Sequence, residues 1–442
     1  MTRKYRKVLA PRGTVPAHAP PEERPADLLV VHVAELVTLA GLPGPRRGKE
    51  MRDLRVGPDG ALYAVDGVIR EVGESRALAA KHGGAAHVID AAGKSVVPGF
   101  VDAHTHVAFA GSREHELEWK SEGMSYQEIA ARGGGILHTV RSTRAATEEE
   151  LYLLAHERLD HMLAHGTTTV EAKTGYGLTV ADEMKVLRVH DHLQESHPAN
   201  VVSTFLGAHA VPPEFEGRAD PYVDLVVNEM LPRVAAKTAA RFCDVFVEDG
   251  YFTGDQARKI LSEAERLGLS AKVHADEFSD TGGASLAAEV GAVSADHLVH
   301  ASPEGIRKMA ERGTIAVLLP ASSLASRIPF ANARHFVEMG VPLALGTDFN
   351  PNCWTESMAL VVALAAHQLG LTPAEALTAA TINAAHAVGM GREVGSLEVG
   401  KRADLLVLDA PDHRHLAYRI GGRVVETVVK DGRVVWRRPR AP

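Results

Sequence analysis

The stretch VVPGFVDAHTHVAFAGSREHE, residues 96–116, opens as an apolar run and carries two histidines one residue apart, His104 and His106. With 23 histidines in 442 residues, random placement gives about one His-x-His pair, so the pair alone says little. Its address says more. Two other pairs exist, but His190 and His192 lie in VADEMKVLRVHDHLQ, which has helical apolar spacing, and His413 and His415 follow a Pro-Asp turn. On a helix, residues two apart point in different directions. At the end of a strand, the period of two sends both side chains to one face, which suits a single metal ion.

Downstream of this stretch, short apolar runs alternate with amphipathic ones, as in repeated strand-helix units around a parallel sheet. The strand candidates are 96–106, 167–175, 201–209, 243–252, 269–278, 293–300, 314–322 and 341–349, eight in all. Between them run helical patterns such as 148–163, where Leu151, Leu154, Leu159 and Met162 fall on one stripe. Eight such units predict a TIM-like (β/α)8 barrel over 96–394, with its chemistry at the C-terminal ends of the strands. Outside this block, LLVVHVAELVTL (28–39), ALYAVDGVIREVG (61–73), ADLLVLD (403–409) and TVVKDGRVVW (427–436) read as strands. Asp66-Gly67 and Asp431-Gly432 read as two-residue hairpin turns. The simplest assembly is a small composite β-sandwich built from both chain ends, 28–95 plus 395–438. Residues 1–27 are basic, then proline-rich, lack the apolar core of a secretory signal, and are expected to form a flexible extension.

An apolar fraction of 45% and a charged fraction of 24% are those of an ordinary globular protein. A net charge of −8 without a basic cluster argues against nucleic acid as a partner. No apolar run is long enough to span a membrane. Two cysteines, Cys243 and Cys353, give no disulfide framework and fit a cytoplasmic setting with two small buried thiols.

In a barrel, the polar residues of interest sit at strand ends. His104 and His106 end the first strand, His274 and Glu277 the fifth, His297 the sixth and Asp348 the eighth. A histidine on a strand is more often a hydrogen-bonded core residue than a ligand, but that reading does not predict one shared address for all of these. Three imidazoles and a carboxylate, His104, His106, His274 and Asp348, match a catalytic divalent metal with an open position. Such a metal acidifies water. Glu277, three residues past His274, is then placed to move a proton between that water and a leaving nitrogen, and His297 to stabilise an oxyanion or steer the water. Lys173 could bridge two metals if carboxylated, but the strand count puts it far round the ring, so its structural reading and a single metal are favoured. Glu248 is a remote candidate for a second metal.

These residues carry a resemblance. PGFVDAHTH (98–106) and LGTDFN (345–350) resemble signals of the amidohydrolase superfamily, while GGGILHTVRSTR (133–144), EAKTGYGL (171–178) and FLGAHAVPPEF (205–215) are similar to one ring-opening branch of it. The resemblance spans about residues 28 to 436. It implies a TIM barrel with a β-sandwich, a homodimer, and one zinc or iron, divalent or trivalent. The implied activity is hydrolysis of a cyclic amide: 4-imidazolone-5-propanoate, a small anionic substrate from histidine degradation, is opened to N-formimidoyl-L-glutamate. It assigns metal binding to His104, His106, His274 and Asp348, and acid/base work to Glu277 with His297 beside it. It also implies that Arg113, Tyr126, Tyr176, His209 and Asn350 contact substrate. Arg113 can grip a carboxylate with two charged hydrogen bonds, although in SREHELE its default is a solvated ion pair. After Asp348 the branch pattern is Asn-Pro-Gly and a small hydroxyl residue, whereas this chain has Asn352 and Cys353 at the last two places. Those two are the substrate contacts on which the sequence departs from the pattern. A cytosine- or guanine-type deaminase would share the metal set, and a non-catalytic binding relative would be expected to have lost it.

Overall fold

The computed structural model describes residues 27–41 and 43–439. The flexible extension expected for residues 1–27 therefore lies, Asp27 apart, outside the described residues. The quoted stretch is two strands rather than the single strand expected at 96–106. Ser95–Pro98 belongs to an outer sheet and Phe100–Thr105 to the barrel. The chain crosses from one to the other at Gly99, where a Cβ would meet Thr168 Oγ1 at 2.4 Å.

The barrel strands are Phe100–Thr105, Thr167–Lys173, Asn200–Ala208, Phe242–Val247, Ser270–Ala275, Ser294–His297, Ile315–Leu318 and Leu343–Leu345. They pair in parallel in sequence order. Nearly all their residues are buried, which is why they read as near-continuous apolar runs. Helices on the outside complete the strand-helix alternation. Glu148–Ala164 starts at a capping box between Thr147 and Glu150 and buries Leu151, Ala155, Leu159 and Met162, so the stripe runs through Ala155, with Leu154 only half-buried. Arg158 is buried on the same helix; its guanidinium donates to Val107 O and Phe109 O, both at 2.8 Å, and lies over the Phe109 ring.

Two sheets are built from the chain ends. One runs Val68–Glu74, Gly60–Val65, Leu28–Val33, His87–Asp90; the other runs Arg433–Arg437, Val425–Lys430, Leu405–Leu408, Ser95–Pro98, Glu35–Val37, Val56–Gly57. The C-terminal segment enters by pairing Leu406 with Val97. Leu28, Val30, Leu62, Ile69, Val96, Leu405 and Val429 share one core cluster. The run 28–39 is thus split between both sheets. Asp66-Gly67 and Asp431-Gly432 have positive φ at both residues, as a two-residue hairpin turn of the type I′ kind requires.

Glu375 fastens the N-terminal lobe to the barrel. Its carboxylate, almost wholly buried, accepts from Arg52 Nε at 3.0 Å, Arg334 Nη1 at 2.8 Å and Thr372 N at 2.8 Å. Burial alone would raise its pKa, but the Arg334 and Thr372 hydrogen bonds outweigh it and bring the pKa down to about 2 from 4.5. A depressed carboxylate pKa stabilises the fold above the unfolded value and loses that contribution as pH falls toward the folded one. Glu375→Gln is expected to cost about 1–3 kcal/mol at neutral pH. The gap in thermal midpoint from wild type should close as pH falls below about 4.5; a gap independent of pH would contradict this.

Candidate metal centre and substrate cavity

The barrel closes where its first and eighth strands meet. Asp348 N–H donates to His104 O at 3.0 Å, and His106 N–H donates to Phe349 O at 2.8 Å. Gly346 permits this approach, since a Cβ there would lie 2.9 Å from His104 N. The closing bonds therefore belong to three of the residues expected to bind metal. Asp348 and His297 both adopt left-handed φ values, 51° and 75°. Such backbone persists where the surroundings over-determine it.

Each of the three histidines has its Nδ1 engaged. His104 Nδ1 lies 2.7 Å from Asp296 Oδ2, His274 Nδ1 2.9 Å from Asp244 Oδ2, and His106 Nδ1 3.4 Å from Thr174 O. An N–H at Nδ1 donating to these oxygens leaves each Nε2 lone pair turned inward, the arrangement of metal-binding histidines. His104 Nε2 and His106 Nε2 lie 3.5 and 3.8 Å from Asp348 Oδ1. His104 Nε2 is fully buried without a hydrogen-bond partner. A cation held between these groups would satisfy it. Burial, reinforced by neighbouring positive groups, pushes the pKa values of His104 and His106 well below the usual imidazole range, so both rings are neutral and able to ligate.

Under the centre lies a charged network that the sequence reading did not find. Lys173 Nζ lies 2.9 Å from Glu171 Oε1, 2.7 Å from Asp244 Oδ2 and 3.2 Å from Asp296 Oδ2, and Lys272 Nζ 2.7 Å from Glu171 Oε2. Lys173 is not far round the ring, because its strand adjoins the first and its side chain reaches inward beneath His104 and His274. Burial opposes its charge, but Asp244, Glu171 and Asp296 hold its pKa above the ordinary lysine value. It stays an ammonium, in keeping with a structural role. Glu248 also has other work: its carboxylate accepts from Phe278 N, Asp249 N and Ser279 Oγ and so anchors the loop that carries Glu277.

Above the centre is a cavity of about 40 Å³ lined by His106, Arg113, Tyr176, His209, His274, Glu277, His297, Asp348, Asn350 and Asn352, with Ile136, Phe246 and Ser322. Glu277 Oε1 lies 3.5 Å from His297 Nδ1. Burial, then repulsion by Asp348 and Glu248, pushes the Glu277 pKa well above the carboxylate range, while burial holds His297 neutral. The His209 ring stacks 5.0 Å from His106, with Nδ1 donating to Gly175 O at 3.1 Å and Nε2 left as an acceptor. The ion pair of Arg113 is buried rather than solvated, a correction: Nε and Nη2 meet both Glu116 oxygens at 2.8 Å. Asn350 donates to Asp348 Oδ1 and accepts from Asn352 N and Cys353 N, so it orders the loop as well as lining the cavity. Cys353 is not in the lining; its buried thiol faces Thr347 O and Thr355 Oγ1, both at 3.6 Å. Tyr126 opens the helix Tyr126–Ala131, and its side chain lies outside the described residues.

Residues 95–435 match the Amidohydrolase family, and the chain belongs to that family. Its relatives narrow the class. It is 55% identical to the imidazolonepropionase of Symbiobacterium thermophilum over 93% of this chain and 98% of that one, and 50% identical to that of Brevibacillus brevis over 91% and 96%. Within the amidohydrolases, it belongs with the imidazolonepropionases. In fold it is similar to the Escherichia coli guanine deaminase structure, with TM-score 0.70, 17% identity, and 93% and 99% of the two chains covered. It is also similar to an adenosine deaminase from Xanthomonas campestris, with TM-score 0.66, 20% identity and 93% of both chains covered.

Asp296→Asn leaves His104 with a neutral partner. It is expected to weaken metal binding about 10–100-fold in chelator competition with little change in circular dichroism; unchanged affinity would contradict the role given to Asp296.

Proposed function

We propose that the chain hydrolyses 4-imidazolone-5-propanoate to N-formimidoyl-L-glutamate, with His104, His106, His274 and Asp348 holding one zinc or iron. The observation that carries this reading is the set of inward-turned imidazole nitrogens beside Asp348, with Glu277 and Arg113 both lining the cavity above it. Bound there, the metal would supply Lewis acidity toward water and the ring carbonyl.

The rest is done by the chain itself. Arg113 binds the propanoate carboxylate and fixes the ring's direction. Tyr176 and the His209 Nε2 acceptor hold the ring face and its N–H. Glu277, whose ionised form a cation at the centre would favour, takes a proton from water as oxygen attacks the carbonyl carbon, then returns it to the ring nitrogen as the C–N bond breaks. His297, neutral, offers a hydrogen bond to the oxygen on which charge develops. Asn350 steadies Asp348 from the side. The cavity is small beside the roughly 300–1,000 Å³ typical of ligand sites, in keeping with a small substrate. We read the enzyme as a cytoplasmic homodimer without nucleic-acid or membrane partners. The −8 charge supports the absence of a nucleic-acid partner and the two buried free thiols the cytoplasmic setting; among the described residues no helix is long and apolar enough to cross a membrane, and the homodimer is what the family resemblance implies. A deaminase reading would use the same metal set, but a neutral base offers no carboxylate to Arg113.

Absorbance loss of imidazolonepropanoate should be abolished by chelator and restored by zinc or ferrous iron; turnover by metal-free protein would defeat the proposal. Glu277→Gln should keep its metal and lose about 10²–10⁴-fold in kcat. Arg113→Met should raise KM by the equivalent of about 2–4 kcal/mol with a smaller effect on kcat, and an unchanged KM would remove Arg113 from the substrate site.

A further inference from the structure

Outside the inner cavity lies a second, larger groove of about 460 Å³, lined by Lys120, Met124, Gln127, Phe278, His300 and Arg327 among others, with no aspartate or glutamate in its lining. In a chain of net charge −8 that is a local reversal of sign. The two spaces share a partition. Asn352 faces the inner cavity, and two groove residues hold its amide from the other side: Lys120 Nζ donates to Asn352 Oδ1 at 2.6 Å, and Asn352 Nδ2 donates to Ser326 Oγ at 2.9 Å. Glu277 and Phe278, adjacent in sequence, line the inner and outer spaces respectively.

Lys120 is the unusual member. It is 7% exposed, and its two hydrogen bonds go to neutral oxygens, Ala325 O at 3.0 Å and Asn352 Oδ1. Burying an ammonium without a full counter-charge is costly. Nearby, both oxygens of Glu116 are engaged by the Arg113 guanidinium, so the closest carboxylate to Lys120 is shared with a second cation. Burial and, after it, the positive charge of Arg113 lower the Lys120 pKa, with Glu116 acting the other way. A ligand carboxylate would add a counter-charge beside the two cations. Arg327 continues the positive wall outward, with Nη1 donating to Lys120 O at 2.7 Å.

We propose that this groove is the anion-collecting mouth of the active site, and that Lys120 is a second cation recognising the substrate carboxylate, setting specificity together with Arg113. The inference rests on the ring-opening reading and deepens it. The groove gathers carboxylate-bearing ligands by field, which raises their local concentration in a salt-dependent way. Lys120, acting through Asn352, extends the grip from the mouth to the cavity.

Calorimetry on the zinc-loaded full-length protein tests this with two probes, imidazole-4-propanoate and the neutral 4-ethylimidazole. Lys120→Met should weaken the carboxylate ligand by about tenfold or more and leave the neutral one within about twofold. Lys120→Gln, which keeps a donor for Asn352 and removes only the charge, should do the same and serves if the methionine variant does not fold. Lys120→Arg should bind both probes like wild type. Arg327→Met should flatten the salt dependence of kcat/KM. Equal weakening of both probes would show a merely structural lysine and overturn the inference, as would no weakening of either. A wild-type protein that holds zinc but binds neither probe would overturn the ring-opening reading and the inference with it.

Discussion

Everything at the mouth of this barrel depends on the seam between its first and eighth strands. The backbone bonds that join Asp348 to His104 and Phe349 to His106 do two things at once. They bridge the first strand to the chain just past the eighth, so that the barrel is nearly closed, and they bring a carboxylate from residue 348 against imidazoles from residues 104 and 106. Fold closure and site assembly are one event. Weakening the seam would therefore open the edge and scatter the donors together.

Below the seam, the protein sets aside an unusual amount of buried charge. Asp244 and Asp296 each hold a histidine by its Nδ1, and Lys173 sits between the two carboxylates. Two acids without that ammonium would repel in a low-dielectric interior. With it, both stay ionised, and each histidine keeps its Nδ1 engaged and its Nε2 free for a cation. The network does not touch substrate in this account; it decides which nitrogen of each ring faces the reaction. Glu248 acts similarly one layer out, holding by backbone N–H groups the loop on which Glu277 stands.

Much of this was legible in the sequence, for physical reasons. Strands buried on both faces leave apolar runs that stand out against amphipathic helices, so all eight barrel strands could be placed. Residues such as His274 and Asp348 mark strand ends, and a barrel sends all such ends to one mouth. What escaped notice depends on contacts that periodicity cannot carry. His104 and Asp296 are 192 positions apart, and an aspartate inside a strand looks like an exposed residue until its partner is known. The break at Gly99 was hidden because both flanking strands are apolar. A charged run such as SREHELE suggests a solvated ion pair for Arg113, yet its partner Glu116 is buried and also accepts from Gly135 N–H. Cys353 sits in a loop whose inward and outward sides follow no repeat.

The account stands on one centre shared by four side chains. The most direct measurement is anomalous diffraction at the metal edge from crystals grown with zinc. The account predicts one dominant peak within bonding distance of His104 Nε2, His106 Nε2, His274 Nε2 and an Asp348 oxygen. A peak held instead by His209 or His297 in place of one of these, or no common peak at the seam, would contradict it.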